Sequence, residues 1–172
     1  MLSVDAVNRI IKLCDQNNLN NNIRFKKLHP DAKAPVRAKR GDAGYDLTCV
    51  EHVTLHGSDG TVSLKTGIAI ELPDNMFAQI APRSGLGKKG MIIHGGIIDA
   101  GYRGEIIVLA SKAGNSFIDF QPGDKVAQLI ILPKIDMQFV ETQEELSQTD
   151  RGENGFGSTD NLVLREPISR DN

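Results

Sequence analysis

Between Val62 and Leu72 an apolar or β-branched residue falls on every second position: Val62, Leu64, Thr66, Ile68, Ile70 and Leu72. A repeat of two places these side chains on one face of an extended strand, whereas on a helix they would wind around the axis. The spacing therefore predicts a half-buried strand facing a core. Similar short runs occur at 23–28, 53–55, 77–81, 91–93, 105–110, 117–120 and 125–132, and turn-forming residues at 57–60, 73–75, 85–90 and 114–116 break the chain between them. Many short strands at such spacing point to an all-β sandwich, jelly roll or barrel and exclude alternating βαβ units.

The chain is 172 residues long and 40% hydrophobic, which suits a single core. Only 5% of its residues are aromatic and none is Trp, so that core must be built from Ile, Val, Leu and Ala. Twenty Lys and Arg against 22 Asp and Glu leave a net charge of -2, and this near balance offers no field for wrapping a nucleic-acid polymer or a membrane surface. No apolar run approaches the roughly 20 residues of a membrane span, and residues 1–22 lack the basic-then-apolar order of a signal peptide. An intracellular, soluble protein is expected, cytoplasmic if its source is cellular. Cys14 and Cys49 have neither metal-ligand spacing nor the density of a disulfide scaffold, so both are expected as reduced thiols, Cys49 in the core. The scattered His29, His52, His56 and His94 do not suggest a zinc site.

The two ends differ from the middle. Leu2, Ala6, Ile10 and Leu13 recur at helical spacing behind Ser3 as an N-cap, and 17–22 is almost wholly polar, which predicts a helical extension and linker over 1–22. A β-domain is expected over 23–147. Residues 148–172 lose the alternation, and the Gly- and Ser-rich stretch 151–160 predicts a flexible arm that is ordered by binding.

Five clusters stand out in order along the chain: Asp42-Ala43-Gly44-Tyr45-Asp46-Leu47, Pro82-Arg83-Ser84-Gly85-Leu86-Gly87, Gly95-Gly96-Ile97-Ile98-Asp99-Ala100-Gly101-Tyr102-Arg103-Gly104, Gly123-Asp124-Lys125-Val126-Ala127-Gln128-Leu129, and Arg151-Gly152-Glu153-Asn154-Gly155-Phe156-Gly157-Ser158-Thr159. Any one of them alone reads as a turn or a solvated loop. Arg83, Ser84 and the main chain at Gly85 and Gly87 can form a phosphate cradle, because arginine offers a planar fork of donors and glycine admits close approach of backbone N–H groups. No Gly-Lys-Ser or Gly-Lys-Thr follows a glycine-rich turn, which excludes an ordinary P-loop nucleotidase. Gly95-Gly96 ahead of Asp99 and Tyr102 suits a β-hairpin whose tip accepts a nucleoside.

In this order the clusters resemble the five motifs of the trimeric dUTPase family, across roughly residues 24–160. The resemblance implies a jelly-roll-like β-barrel and hydrolysis of dUTP to dUMP and diphosphate, which removes dUTP from the DNA precursor pool and supplies dUMP for dTTP synthesis. It assigns Arg83, Ser84 and Gly85 to the α- and β-phosphates and Gln128 to the terminal phosphates. Asp99 is implied as the general base for a water that attacks the α-phosphorus. The ring of Tyr102 would pack on the deoxyribose and leave no space for a 2′-hydroxyl. Main-chain groups at Ile93, His94, Gly95, Gly96 and Ile98 would pair with the uracil edge, in a hairpin too tight for the methyl of thymine. Asp46 matches a carboxylate near the triphosphate Mg²⁺, held through water. Arg151, Phe156, Gly157, Ser158 and Thr159 would close as a lid, with Phe156 stacked on the base. A homotrimer is implied, with the first, second and fourth motifs from one chain, the third from a second and the fifth from a third.

The chain departs from the family pattern at Ile93, where many members carry Asn, so main-chain groups are expected to carry base recognition. It departs again at Asp160, where the lid motif commonly ends in Gly. A related activity, dCTP deamination, needs a glutamate ten residues after the hairpin Asp, and that position here is Leu109. A non-catalytic nucleotide sensor of the same fold is the other alternative, and an intact Asp99 argues against it.

Overall fold

A computed structural model describes residues 22–153. The helical extension and linker expected over 1–22, all but Asn22, together with the lid residues Phe156, Gly157, Ser158 and Thr159, lie outside the described residues, and Cys14 with them. In chain order the elements are β1 (Arg24–Lys27), β2 (Tyr45–Thr48), β3 (Val53–His56), β4 (Val62–Lys65), β5 (Ile68–Glu71), β6 (Met76–Ala81), α1 (Ser84–Lys88), β7 (Met91–His94), β8 (Ile97–Ile98), β9 (Ile107–Lys112), β10 (Phe117–Phe120) and β11 (Lys125–Pro133). The strands form four ladders, β1-β5, β10-β3, β2-β11-β6-β8 and β4-β9-β7. Every pairing is antiparallel. The architecture is all-β and jelly-roll-like; among the described residues no ladder closes on itself into a complete barrel.

The chain divides after Asp136 into two compact units. All the strands and the short helix belong to the first. The described part of the second, 137–153, carries no strand, leaves Met137, Phe139 and Val140 exposed, and ends in a turn in which Gly152 N–H donates to the Thr149 carbonyl at 3.0 Å. No helix among the described residues is long and apolar enough to cross a membrane.

The core is aliphatic, as the scarcity of aromatics demands: Leu47, Leu55, Leu64, Ile68, Ile106, Val108 and Val126 are completely enclosed, and Phe120 is the one buried aromatic among the described residues. Burial of each such side chain is worth about 1.5–3 kcal/mol. Cys49 is a buried free thiol whose Sγ donates to the Gln121 carbonyl at 3.1 Å, and burial pushes its pKa up.

The alternation from Val62 to Leu72 belongs to two strands. Its inward phase is kept throughout, with Leu64, Thr66, Ile68, Ile70 and Leu72 all buried, yet β4 pairs with β9 whereas β5 pairs with β1. The corner between them is Gly67, at φ +67. A Cβ there would stand 2.7 Å from His29 Cβ, 3.0 Å from Val50 Cγ1 and 3.1 Å from Ala32 Cβ. Only glycine meets both the positive φ and the crowding. Two further differences from the sequence expectation concern local elements. The stretch 85–90, expected as a break, is helical over 85–88 as part of α1, and the first cluster, read as a turn, contains the first three residues of β2.

On the outer surface the β3–β10 pair is tied by Asp119, whose carboxylate accepts from Thr54 Oγ1 at 2.7 Å and Gln121 Nε2 at 2.8 Å and pairs with His52 Nε2 at 2.7 Å. The hydrogen bond from Thr54, then those from His52 and Gln121, hold this carboxyl below the usual aspartate range.

Two outcomes follow. Gly67→Ala should destabilise the fold by about 1–3 kcal/mol, the sum of a left-handed backbone and a forced repacking; chemical denaturation measures it, and an unchanged midpoint would contradict the role given to this corner. For Asp119 the folded pKa is depressed, so its stabilisation is present above the unfolded value of about 4 and is lost as the pH falls through the folded value. Thermal midpoints of Asp119→Asn and wild type should therefore differ at pH 7 and converge below about pH 4.

Candidate active site

The first, second and fourth clusters meet on the β2-β11-β6 ladder. β11 lies between β2 and β6, and Gln128 stands opposite Asp46 on one side and Ala81 on the other. A bulge creates this register. Lys125 pairs with Thr48, but beyond Val126 the pairing shifts by one residue, so that Ala127 faces Leu47 and Gln128 faces Asp46. Val126 and Ala127 are both buried in succession, as an extra residue in the strand requires. Opposed residues of an antiparallel pair share a face, so the shift brings the Gln128 amide and the Asp46 carboxylate to the same side. Without it Gln128 would oppose Tyr45.

Asp46 is mostly buried, and both of its oxygens are engaged: Oδ1 with Arg83 Nε at 3.1 Å and Oδ2 with Lys125 Nζ at 2.6 Å. Arg83 NH1 also reaches the Lys125 carbonyl at 3.4 Å. Gln128 Nε2 donates to the Pro82 carbonyl at 2.9 Å, which ties β11 to the residue before Arg83. Gly44 makes room for this arrangement, since a Cβ there would collide with the Gln128 carboxamide. Asp46, Arg83, Gln128 and Gly44 line a cleft of about 500 Å³ together with Ser84, Gly85 and Lys89. Ser84 and Gly85 open α1, where no preceding helical carbonyl can take their N–H groups. The cleft thus offers guanidinium, ammonium, hydroxyl, amide and backbone donors around one carboxylate, which suits a polyanion with a counter-cation.

Asp99 lies elsewhere. It lines a second cleft of about 360 Å³ with Ile80, His94, Gly96, Ile98, Tyr102 and Glu105 among its walls, and no residue lines both clefts. The reason is strand order: β6 takes β11 along one edge and β8 along the other, so the hairpin that leads to Asp99 lies on the far side of β6 from Gln128 and Asp46. β7 and β8 enclose Gly95 and Gly96, and Ile80 N–H donates to the Gly96 carbonyl at 2.7 Å. Asp99 is exposed, and its carbonyl accepts from Tyr102 N–H at 3.0 Å in the turn beyond β8. Tyr102 is 44% exposed and lies outside the core, on the wall of this cleft. His94 Nε2 bonds Ser111 Oγ at 2.7 Å.

Of the site residues expected from the sequence, one chain therefore gathers Asp46, Arg83, Ser84, Gly85 and Gln128 in the first cleft and His94, Gly96, Ile98, Asp99 and Tyr102 in the second. Ile93 turns its side chain onto the core, and Gly95 sits in the β7–β8 connection. Arg151 belongs to the second unit. Asp124 serves a turn, its carboxylate accepting from Gln121 N–H at 2.9 Å. Asp42 does the same for Lys39 N–H at 2.8 Å. Sequence reasoning passed over Lys125, Lys89 and Glu105. Lys125 lay inside the fourth cluster, but only the bulge shows that its ammonium can reach Asp46 from the strand.

The sequence profile of the dUTPase family matches residues 30–160. The deoxyuridine 5'-triphosphate nucleotidohydrolase of Hydrogenobaculum sp. is 44% identical over 137 residues, covering 78% of this chain and 94% of the relative. That of Monkeypox virus is 41% identical over 142 residues, covering 83% and 93%. Among solved structures, the dUTPase of Staphylococcus bacteriophage 80alpha with dUpNHpp superposes with a TM-score of 0.73 at 28% identity, over 81% of this chain and 98% of that one. A dUTPase variant from phage phi11 of S. aureus, described with a structural Mg(II) ion, gives 0.68 at 25% identity, over 74% and 100%. With its motifs in that family's order and its profile match spanning most of the strands, the chain belongs to the dUTPase family.

Proposed function

We propose that this protein hydrolyses dUTP to dUMP and diphosphate in an active site completed by neighbouring copies of the chain. The observation that carries the proposal is the meeting of Asp46, Arg83, Ser84 and Gln128 in one polar cleft, set in the motif order of the family. In this reading Arg83, the Ser84 hydroxyl and the N–H groups at 84–85 hold the α- and β-phosphates, and the second Nε2 hydrogen of Gln128, not used by Pro82, reaches the terminal phosphates. Asp99 takes a proton from a water whose oxygen bonds to the α-phosphorus, and the bridging P–O bond breaks to release diphosphate. The main chain at 93–98 reads the uracil edge. Tyr102 packs on the deoxyribose and excludes a 2′-hydroxyl by shape, and the arm 148–172 closes over the nucleotide with Phe156 on the base.

Mg²⁺ fits the donor set of the first cleft. Among the described residues no group of three or more His, Cys, Asp and Glu side chains could cage a metal, and Mg²⁺ on a triphosphate needs only one carboxylate and retained waters. Asp46 would supply that carboxylate through a retained water, each oxygen keeping a lone pair beside its cation partner. The ion would neutralise phosphate charge and fix the chain of phosphates for attack. The homotrimer answers the separation of the clefts: a chain that lines one cleft with Arg83 and another with Asp99 takes a second copy to set one against the other. Leu109 lines the Asp99 cleft at the position where a deaminase would carry its glutamate, so the acid that reaction needs at that position is missing.

Diphosphate release should be rapid for dUTP and weak for dCTP, dTTP and UTP; equal rates across this panel would defeat the assignment. Asp99→Asn should keep dUTP affinity while lowering kcat about 100- to 10,000-fold, as loss of a general base does. Mixing inactive Arg83→Ala and Asp99→Asn proteins after mild dissociation should restore part of the activity, because some interfaces then pair an intact Arg83 with an intact Asp99. No recovery, with mixed assemblies confirmed by mass, would mean that each chain builds its own site.

A further inference from the structure

Tyr102 is exposed and sits on a surface turn, a poor place for a residue that must judge the sugar by shape. Its hydroxyl, however, donates to the backbone carbonyl of Glu105 at 2.9 Å. Gly104 has no side chain where the ring passes, and a Cβ there would collide with that hydroxyl. The Glu105 side chain turns inward, and its Oε1 accepts the Gly67 N–H at 2.7 Å. The next residue is fastened to the same corner. Ile106 N–H donates to the Ile68 carbonyl at 2.8 Å, and the hydroxyl of Thr66, only 1% exposed, donates to the Ile106 carbonyl at 2.6 Å. Residues 105–106 are thus pinned to the β4–β5 corner by three hydrogen bonds, and the Tyr102 ring hangs from that anchor.

We propose that Glu105 is a positioning residue for substrate choice: by accepting the Gly67 amide it fixes the carbonyl that holds the Tyr102 hydroxyl, and so sets how strictly the site refuses a ribonucleotide. The inference rests on the reading in which Tyr102 packs on the deoxyribose. A ring held at both its backbone and its hydroxyl cannot move aside for a 2′-hydroxyl, whereas a ring held only at its backbone can. The carboxylate acts here as an acceptor and its charge is not required, so glutamine, which keeps Oε1, can replace it.

The test is the ratio of kcat/KM for dUTP to that for UTP, with thermal midpoints measured alongside. Glu105→Ala should lower the ratio about tenfold or more, chiefly through faster use of UTP, while Glu105→Gln keeps it within about twofold of wild type. Tyr102→Phe, which removes only the hydroxyl, should lower the ratio to a similar extent, and the double variant Glu105→Ala with Tyr102→Phe should be no worse than either alone, since both cut one chain of contacts. A merely structural role would lower the midpoint and both rates together and leave the ratio unmoved, which would overturn the proposal, as would a Gln variant as permissive as Ala. If Tyr102→Ala collapses the ratio and Glu105→Ala does not, Tyr102 judges the sugar without this anchor. If Tyr102→Ala also leaves the ratio unchanged, the sugar contact itself is wrongly assigned and the proposal falls with it. Should Glu105→Ala fail to fold, Glu105→Met, which fills the same space without a carboxylate acceptor, makes the same comparison.

Discussion

The Asp46 carboxylate, shared between Arg83 and Lys125, is the interaction on which the polar cleft depends. A mostly buried anion is tolerated only when its oxygens are paired, and here each takes one cation. The pairing does more than neutralise charge. Lys125 reaches Asp46 from β11 and Arg83 reaches it from the turn after β6, so three chain segments converge on one side chain. The bulge at Val126 puts Gln128 in the same layer. An extra residue in one strand thereby turns two adjacent strands into a facing pair of functional groups, and neither an unbroken ladder nor an apolar substitute for Asp46 would hold the guanidinium in that position.

Strand order then decides how one chain distributes its polar groups. β6 pairs with β11 along one edge and with β8 along the other, so Gln128 and Asp46 lie to one side of it and the hairpin that leads to Asp99 to the other, and the two clefts share no lining residue. In the proposed reading a second copy of the chain sets the two against each other.

Much of the β-rich pattern was legible because burial on one face leaves a period of two in the sequence, and Leu64, Ile68, Ile70, Val108 and Leu129 all obey it. What was not legible has physical causes. β2 is four residues long and lies in a cluster of Asp, Ala and Gly, so its turn-forming composition masks a strand whose only long apolar residue is Leu47. The break at Gly67 was invisible because the chain changes ladder without changing phase: Leu64 and Ile68 both face inward although their strands have different partners. The five clusters could be found in sequence and the resemblance set the third apart from the first, second and fourth, yet the physical divider could not be read there, since it is the order β11-β6-β8 in one ladder. Lys125 and Glu105 were missed for a related reason. Each acts through the partner it reaches, Asp46 in one case and the Gly67 amide in the other, and a partner 79 or 38 positions away in the chain leaves no local signature.

The corner at Gly67 links these levels. It splits the longest alternation in the chain, and it does so with a backbone conformation that exposes the Gly67 N–H toward Glu105 while Thr66, next to it, remains in the core. An exposed aromatic on a surface turn has rotational freedom that a specificity element must lose, and rigidity has to come from a part of the molecule that cannot relax. Here it comes from packing: His29, Val50 and Ala32 crowd the corner, the corner fixes residues 105–106, and the Glu105 carbonyl fixes the Tyr102 hydroxyl. In the proposed reading, discrimination at the surface is in this way referred back to close packing in the core, through the Glu105 side chain and the backbone groups that it fixes.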